Sequence, residues 1–176
     1  NTISKNVTLL PNVFVDFTVE NVCAGTPVQL VNLSNPNANF VWNFGDGGAS
    51  TQYSPNHAYN QIGNKTILLT IVDSSTCDVT ASVTHDVQVY AQPIADFTTQ
   101  GDTFKFEAPV QFVNWSFAYQ NLLWNFGDGQ SSTDENPTHV YETIRSKTVC
   151  LEAFNDACAD TICKDIYISF TGLVGV

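Results

Sequence analysis

Basic residues are scarce in this sequence. Its 176 residues include 6 Lys and Arg against 17 Asp and Glu, which gives a formal net charge of −11. Proteins that bind nucleic acid or anionic membrane surfaces need clustered basic side chains to neutralise phosphates. The basic residues here are scattered, at Lys5, Lys65, Lys105, Arg145, Lys147 and Lys164. We therefore expect neither nucleic acid nor anionic membrane surfaces as partners.

Long apolar runs and methionine are also absent. No stretch approaches the roughly 18 consecutive apolar residues of a membrane-spanning helix, so we expect no membrane insertion. The first residues lack the basic and apolar pattern of a secretory signal. Because the chain has no Met, we expect it to be a piece of a longer precursor. At 43% hydrophobic and 12% aromatic residues, the composition excludes disorder as the main state.

A long internal repeat organises the chain. The sequence Trp-Asn-Phe-Gly-Asp-Gly at residues 42–47 recurs at residues 124–129, and Asp-Phe-Thr at residues 16–18 recurs at residues 96–98. Such a repeat of about 80 residues predicts two consecutive modules. We predict a first domain at residues 12–92, a second at residues 93–170 and a tail at residues 171–176. Residues 1–11 are interpreted as the last strand of a preceding repeat or as a linker.

The secondary structure is predicted to be almost entirely β-strand. Short segments with period-2 alternation and β-branched or aromatic residues are separated by turn residues throughout. No window carries the 3.6-residue period of an amphipathic helix. The predicted strands include Val13–Thr18, Asn39–Phe44, Thr66–Val72 and Val83–Tyr90, together with their counterparts in the second copy. The fold class is therefore all-β, with two tandem β-sandwiches of about seven strands each.

The repeated residues are predicted to build each sandwich. Strand alternation directs the Trp and Phe of each Trp-Asn-Phe segment into the core, and the following Gly-Asp-Gly forms a tight turn. Asp46 and Asp128 are therefore interpreted as turn builders, with calcium ligation as the alternative. A Pro-x-His-x-Tyr segment follows in each copy. These motif residues are Trp42, Phe44, Asp46, His57 and Tyr59 in the first copy and Trp124, Phe126, Asp128, His139 and Tyr141 in the second.

The pattern Trp-x-Phe-Gly-Asp-Gly, followed by Pro-x-His-x-Tyr and a closing Val-x-Val, resembles the PKD (polycystic kidney disease) domain. The resemblance covers nearly the whole chain. It implies an immunoglobulin-like β-sandwich, used in tandem on extracellular proteins as a spacer or as a module that contacts proteins or carbohydrates. The second copy departs from the family pattern at Ile144-Arg145-Ser146-Lys147, which lacks the glycine that precedes the long strand of the first copy.

The cysteines also indicate an oxidising, extracellular or cell-surface location. Five Cys occur without a Cys-x-x-Cys pair, which favours disulfides over zinc or redox chemistry. We expect a Cys23–Cys77 bridge in the first copy and a Cys150–Cys163 bridge across a hairpin in the second. Cys158 is left as an unpaired thiol, which is either buried or serves as an intermolecular bridge or a reactive thiol. The paired cysteines resemble those of PKD-like domains in Bacteroidetes surface proteins that use type IX secretion.

Catalysis is not predicted. His57 and His139 occupy equivalent repeat positions, His85 stands alone, and no nucleophile, zinc or phosphate-loop motif is present. We expect no enzyme activity and no cofactor other than the calcium alternative. Three aromatic residues, Trp115, Phe117 and Tyr119, form a predicted contact patch, with core or inter-repeat packing as the alternative.

Three hypotheses for function follow. The first is a non-enzymatic extracellular spacer, stalk and interaction module of a large surface or secreted protein, of the kind used in adhesion. Its partners are the neighbouring domains of the same polypeptide and an unidentified protein or glycan. The second is a self-assembling filament subunit that donates its N-terminal strand, Ile3 to Leu10, to a neighbour. The third is a carbohydrate-binding accessory module of a secreted enzyme, acting through Trp115 to Tyr119.

Overall fold

The chain folds into two sheet-rich halves, as the alternating strand and turn signals predict. The structure is a computed structural model that describes residues 13–73 and 80–170, and the described part contains strands and no helix. The first copy contains β1 (Phe17–Thr18), β2 (Val22–Cys23), β3 (Pro27–Gln29), β4 (Val31–Asn32), β5 (Asn39–Asn43), β6 (Ala49–Ser50), β7 (Asn56–Ala58), β8 (Gly63–Val72) and β9 (Thr80–Tyr90). The second contains β10 (Phe97–Thr99), β11 (Thr103–Lys105), β12 (Pro109–Asn114), β13 (Asn121–Asn125), β14 (Ser131–Ser132), β15 (Thr138–Val140), β16 (Arg145–Phe154) and β17 (Ala159–Ser169).

Each copy contains one five-stranded sheet with the same strand order. In the first copy the order is β2-β9-β8-β5-β6, and in the second it is β11-β17-β16-β13-β14. The opposing strands are β1-β4 and β3-β7 in the first copy and β10-β12-β15 in the second. The repeated Trp residues have equivalent registers, with Trp42 opposite Leu69 and Trp124 opposite Leu151. The repeat in the sequence is therefore a repeat in strand order and register.

Period-2 alternation places the aromatic residues in the two cores. In β5, Phe40 and Trp42 are buried while their neighbours are exposed, and in β13 the same holds for Leu122 and Trp124. Both Trp side chains are fully buried, and each indole N–H donates to a backbone carbonyl, of Gln52 and Asp134 respectively. Truncating such a buried aromatic residue to Ala costs about 3–5 kcal/mol. Each copy thus has its own core centred on its own Trp.

The division between the copies falls at the end of β9. The chain separates into one unit of residues 1–89 and another of residues 90–176, whereas the sequence predicts the boundary after residue 92. The strand predicted at Val13–Thr18 is observed only at Phe17–Thr18. The predicted N-terminal strand at residues 1–11 and the tail at residues 171–176 lie outside the described residues. In the described ranges, no helix has the length and apolar character needed to cross a membrane.

The second copy keeps the backbone conformation of the first where its glycine is missing. Gly63, the first residue of β8, has a φ of +107°, and Arg145, the first residue of β16, has a φ of +110°. Left-handed backbone is strained for a residue with a Cβ atom. The substitution has therefore not changed the turn, and the strain of the turn is carried by Arg145.

Candidate functional site

The chemistry-bearing motif residues of the first copy form one cluster at the end of β5. The turn after β5 places Asp46 beside β7, where His57 Nε2 donates to Asp46 Oδ2 at 2.8 Å. The backbone N–H of Gly48 donates to the other oxygen, Oδ1, at 2.9 Å. The ring of His57 stacks on that of Phe44 with centroids 4.1 Å apart. Both carboxylate oxygens of Asp46 are therefore engaged by donors from the same copy.

Tyr59 is the fourth side chain of the cluster and contacts both His57 and Phe44. Its ring contacts His57 edge-on, with centroids 4.5 Å apart, and its hydroxyl donates to the carbonyl oxygen of Phe44 at 2.9 Å. Burial, and then the negative charge of Asp46, raise the pKa of Tyr59 to about 12. The hydroxyl therefore remains protonated at neutral pH and acts as a donor that closes the turn onto the core.

The second copy reproduces this cluster almost atom for atom. His139 Nε2 donates to Asp128 Oδ2 at 2.7 Å, the backbone N–H of Gln130 donates to Asp128 Oδ1 at 3.1 Å, and the Tyr141 hydroxyl donates to the Phe126 carbonyl at 3.1 Å. His139 stacks on Phe126 at 4.1 Å. We name these two groups the His-Asp clusters. Their equivalence indicates one structural device used twice.

The electrostatics of the clusters also indicate a structural role. Burial alone would raise the pKa of Asp46, but hydrogen bonds from His57 and from the Gly48 N–H outweigh it, and the pKa is lowered. The pKa of Asp128 is lowered by the same balance, with His139 and the Gln130 N–H as donors. Both carboxylates are therefore ionised and bound at neutral pH. A general base or a metal ligand needs an oxygen directed toward its substrate or ion.

The geometry around Asp46 and Asp128 does not favour calcium ligation. Within residues 13–73 and 80–170, no group of three or more His, Cys, Asp or Glu side chains is placed to hold a metal ion. Ca²⁺ takes 6–8 oxygen ligands, whereas Asp46 and Asp128 each contribute one carboxylate already bound by a His and a backbone N–H. The interpretation of the two Asp residues as turn builders accounts for both oxygens of each.

A second repeated pair lies at the first strand of each copy. His85 Nε2 donates to Asp16 Oδ1 at 2.9 Å, and the His85 ring meets the Phe17 ring edge-on at 4.6 Å. In the second copy Lys164 donates to Asp96 Oδ1 at 2.7 Å, and its ammonium lies 4.8 Å from the centre of the Phe97 ring. His85 has no histidine counterpart in the second copy, where Lys164 takes its place beside Asp96. The available signal was a basic residue about 70 positions after the Asp-Phe step in both copies.

The cysteines follow the predicted pattern only in part. Cys150 and Cys163 face each other in the β16–β17 pair and form a disulfide with a Cα–Cα distance of 4.1 Å. Cys158 is disulfide-bonded, so the prediction of an unpaired thiol there is wrong. Cys23 is disulfide-bonded too, and Cys77 lies outside the described residues. The Cys23–Cys77 pair therefore stays a prediction.

The predicted aromatic patch is divided by the structure. Trp115 and Phe117 are 58% and 65% exposed, and Phe117 forms an antiparallel bridge with Ile94, which is also exposed. Ala118 then takes a positive φ of 57°, which interrupts the strand alternation. Tyr119 is half-buried and hydrogen-bonded to Glu135 instead. Packing of Trp115 and Phe117 in the core, the alternative that the sequence leaves open, is therefore excluded.

Comparison with known proteins places these features in a family. The sequence profile of the PKD domain matches residues 12–89 and again residues 90–169. A microbial collagenase of Vibrio alginolyticus is 40% identical over 63 residues, which are 34% of this chain and 8% of that protein. Collagenase ColA of Bacillus cereus is 49% identical over 35 residues, 20% of this chain and 4% of that protein. The chain thus spans less than a tenth of the collagenases that it matches.

Among solved structures, the fibronectin(III)-like modules of Clostridium thermocellum CbhA superpose with a TM-score of 0.51 at 13% identity. They cover 89% of this chain and 94% of that chain. At this identity the likeness concerns the fold alone, and it agrees with a pair of immunoglobulin-like sandwiches.

Proposed function

The chain belongs to the PKD domain family in both of its halves, and from this premise we propose that it is a non-catalytic extracellular spacer and contact segment of a longer secreted or surface protein. One observation carries the proposal. In both copies the His, Asp and Tyr side chains of the motif are bound to each other and to their own turn. Side chains that make the same internal contacts in both copies are expected to stabilise the fold of each copy.

The relatives support an accessory role within a larger protein. The matched segments make up 8% and 4% of two collagenases, so most of each collagenase lies outside the similarity. A secreted parent also fits the disulfide between Cys150 and Cys163. An adhesin as the parent protein, and export by type IX secretion, rest on the resemblance of the sequence alone and are the finer part of this proposal.

The segment at the junction supports the spacer role. Tyr90 donates to Asp156 at 2.7 Å, the Asn155 amide donates to the Ala91 carbonyl at 3.1 Å, and the Gln92 amide donates to the Ala159 carbonyl at 3.2 Å. The 155–160 loop therefore holds residues 90–92, the first residues of the second unit.

A spin-label experiment tests the spacer proposal. Labels carried by unnatural amino acids at Asn60 and Glu142, two exposed and repeat-equivalent positions, report the distance distribution across the junction without disturbing the cysteines. We expect a narrow distribution that broadens when a Gly-Ser linker is inserted between Ala91 and Gln92. A wild-type distribution as broad as that of the insertion variant would contradict the spacer proposal.

A second candidate function is contact with a carbohydrate or protein through the exposed aromatic residues. Trp115 and Phe117 are among the most exposed large apolar side chains of the described chain, and exposed aromatic faces mark interaction sites. A double W115A/F117A variant that stays folded but loses retention on a glycan or protein surface would support this role. Equal retention of the variant and the wild type would contradict it.

A further inference from the structure

The two copies differ in the packing of two side chains that occupy equivalent positions of the repeat. In the first copy the Tyr53 ring meets the Phe40 ring edge-on at 5.2 Å, and the Tyr53 hydroxyl donates to the Asn32 carbonyl at 3.3 Å. The repeat offset of 82 residues puts Glu135 and Leu122 at these two positions in the second copy. Both rings of the first copy are thus replaced by smaller or polar side chains.

A surface cleft lies at that place in the second copy. Its volume is about 370 Å³, at the lower end of the range of about 300–1,000 Å³ typical of small-molecule sites. Leu122 is buried and Phe154 is half-buried, while Gln120 and Thr133 are exposed. Tyr119 and Glu135 complete the lining. The cleft therefore combines apolar and aromatic surface with side chains that donate and accept hydrogen bonds.

A closed network of hydrogen bonds holds one wall of this cleft. The Tyr119 hydroxyl donates to Glu135 Oε1 at 2.7 Å, and the Asn114 amide donates both to Glu135 Oε1 at 2.9 Å and to the Tyr119 oxygen at 2.8 Å. Hydrogen bonds from Tyr119 and then from Asn114 lower the pKa of Glu135. The ring and the carboxylate are thus held in position before any ligand arrives, which reduces the entropy lost on binding.

We propose that this cleft, which we name the Tyr119–Glu135 cleft, binds a neutral saccharide unit. A pyranose ring has an apolar C–H face that packs against aromatic rings such as Tyr119 and Phe154, and a rim of hydroxyls that matches Glu135, Gln120 and Thr133. A cationic side chain fits less well, because the single carboxylate already accepts two donors on Oε1. The inference rests on the proposal above that the chain is a contact segment of a longer protein, and it places the contact in a cleft that neither Trp115 nor Phe117 lines.

Nuclear magnetic resonance tests the cleft directly. The ¹⁵N-labelled chain is titrated separately with cellohexaose, chitohexaose, xylohexaose and mannohexaose. Each is added up to about 10 mM, so that even a weak site with a Kd of about 1 mM is mostly occupied. We expect at least one hexasaccharide to shift the backbone amides of residues 119–122 and 133–135. The equivalent amides at residues 37–40 and 51–53 of the first copy serve as the internal control and stay unshifted.

Two variants separate the cleft from other surfaces. Glu135→Tyr restores the residue of the first copy and should weaken binding at least tenfold, because it fills the space. Thr133→Val keeps the size of an exposed side chain and removes one hydroxyl, so binding should weaken about two- to tenfold. Thr51→Val, the same change at the equivalent exposed position of the first copy, should leave binding unchanged, since Thr51 does not line the cleft.

Three results would overturn the proposal. They are the absence of shifts with all four hexasaccharides, shifts confined to the surroundings of Trp115 and Phe117, and cleft shifts produced by tetralysine but by none of the saccharides. Each of these results leaves the spin-label distances unaffected, so failure of the cleft and failure of the spacer role are distinguishable.

Discussion

Replacing Gly45 by Ala should destabilise the first copy far more than replacing a glycine two residues away. Gly45 follows β5 with a φ of +79°, and a Cβ atom there would lie 2.5 Å from the carbonyl oxygen of Thr66 in β8. Gly47 also has a positive φ, of +96°, but a Cβ atom added there meets nothing within 4 Å. The pair therefore separates the cost of the backbone conformation from the cost of the steric conflict.

The magnitudes follow from these two terms. A positive φ costs a non-glycine residue about 1–2 kcal/mol, and this is the whole loss expected for Gly47→Ala. Gly45→Ala adds displacement of a sheet carbonyl, and overpacking of this kind costs about 1–3 kcal/mol more. We therefore expect a loss of about 2–5 kcal/mol for Gly45→Ala, with the corresponding pair Gly127 and Gly129 repeating the contrast in the second copy.

Hydrogen exchange followed by mass spectrometry is the suitable assay, because peptides from the two copies report their stabilities separately within one intact chain. In the Gly45→Ala variant, β5 and β8 should exchange faster while β13 and β16 remain as in the wild type. Equal losses of protection for Gly45→Ala and Gly47→Ala would refute the steric argument. Faster exchange in both copies would refute the independence of the two cores.

Three further predictions concern charge, backbone strain and covalent linkage. Asp46→Asn should lower the stability of the first copy at pH 7, because the pKa of Asp46 is lowered in the folded state. The contribution of Asp46 to stability is therefore fully present above its unfolded pKa of about 4. It is lost as the pH falls from that value through the lower pKa of the folded state. Acid titrations of unfolding should therefore be flatter for the variant, and curves of equal slope would contradict this. Arg145→Gly should stabilise the second copy by about 1 kcal/mol, because glycine relieves a φ of +110°; a lower midpoint of urea unfolding would count against the strain. Replacing Cys150 and Cys163 by Ala should cost about 3 kcal/mol, since their bond closes a loop of 13 residues, and an unchanged midpoint under non-reducing conditions would show that the bond adds nothing.

The sequence is sufficient to predict the architecture because the repeat and the period-2 pattern both act locally. The burial of Trp42 and Phe44 follows from alternation alone, and the turn after them follows from glycine on both sides of Asp46. The pairing of His57 with Asp46 does not follow from alternation, although both residues recur at one offset. Residues that share a repeat offset are natural candidates for mutual contact, but the offset alone does not say which of them hydrogen-bond to each other.

Features that depend on pairing between distant strands lie beyond the reach of the pattern. His85 and Asp16 are 69 residues apart, and only the register of the sheets brings them together. Alternation groups Tyr119 with Trp115 and Phe117, but the positive φ of Ala118 redirects it toward Glu135. The bonding of Cys158 does not follow from the sequence, because the second copy has no cysteine at the position equivalent to Cys23. The repeat therefore indicates no partner for Cys158.

The molar mass of the chain in solution tests the central claim most directly. A spacer whose motif residues are satisfied within each copy should remain a monomer of 19.3 kDa in light scattering over a wide range of concentration, with or without calcium. A mass that grows with concentration would contradict the spacer and favour the self-assembling filament subunit. A mass that grows only when calcium is present would contradict the assignment of Asp46 and Asp128 as turn builders.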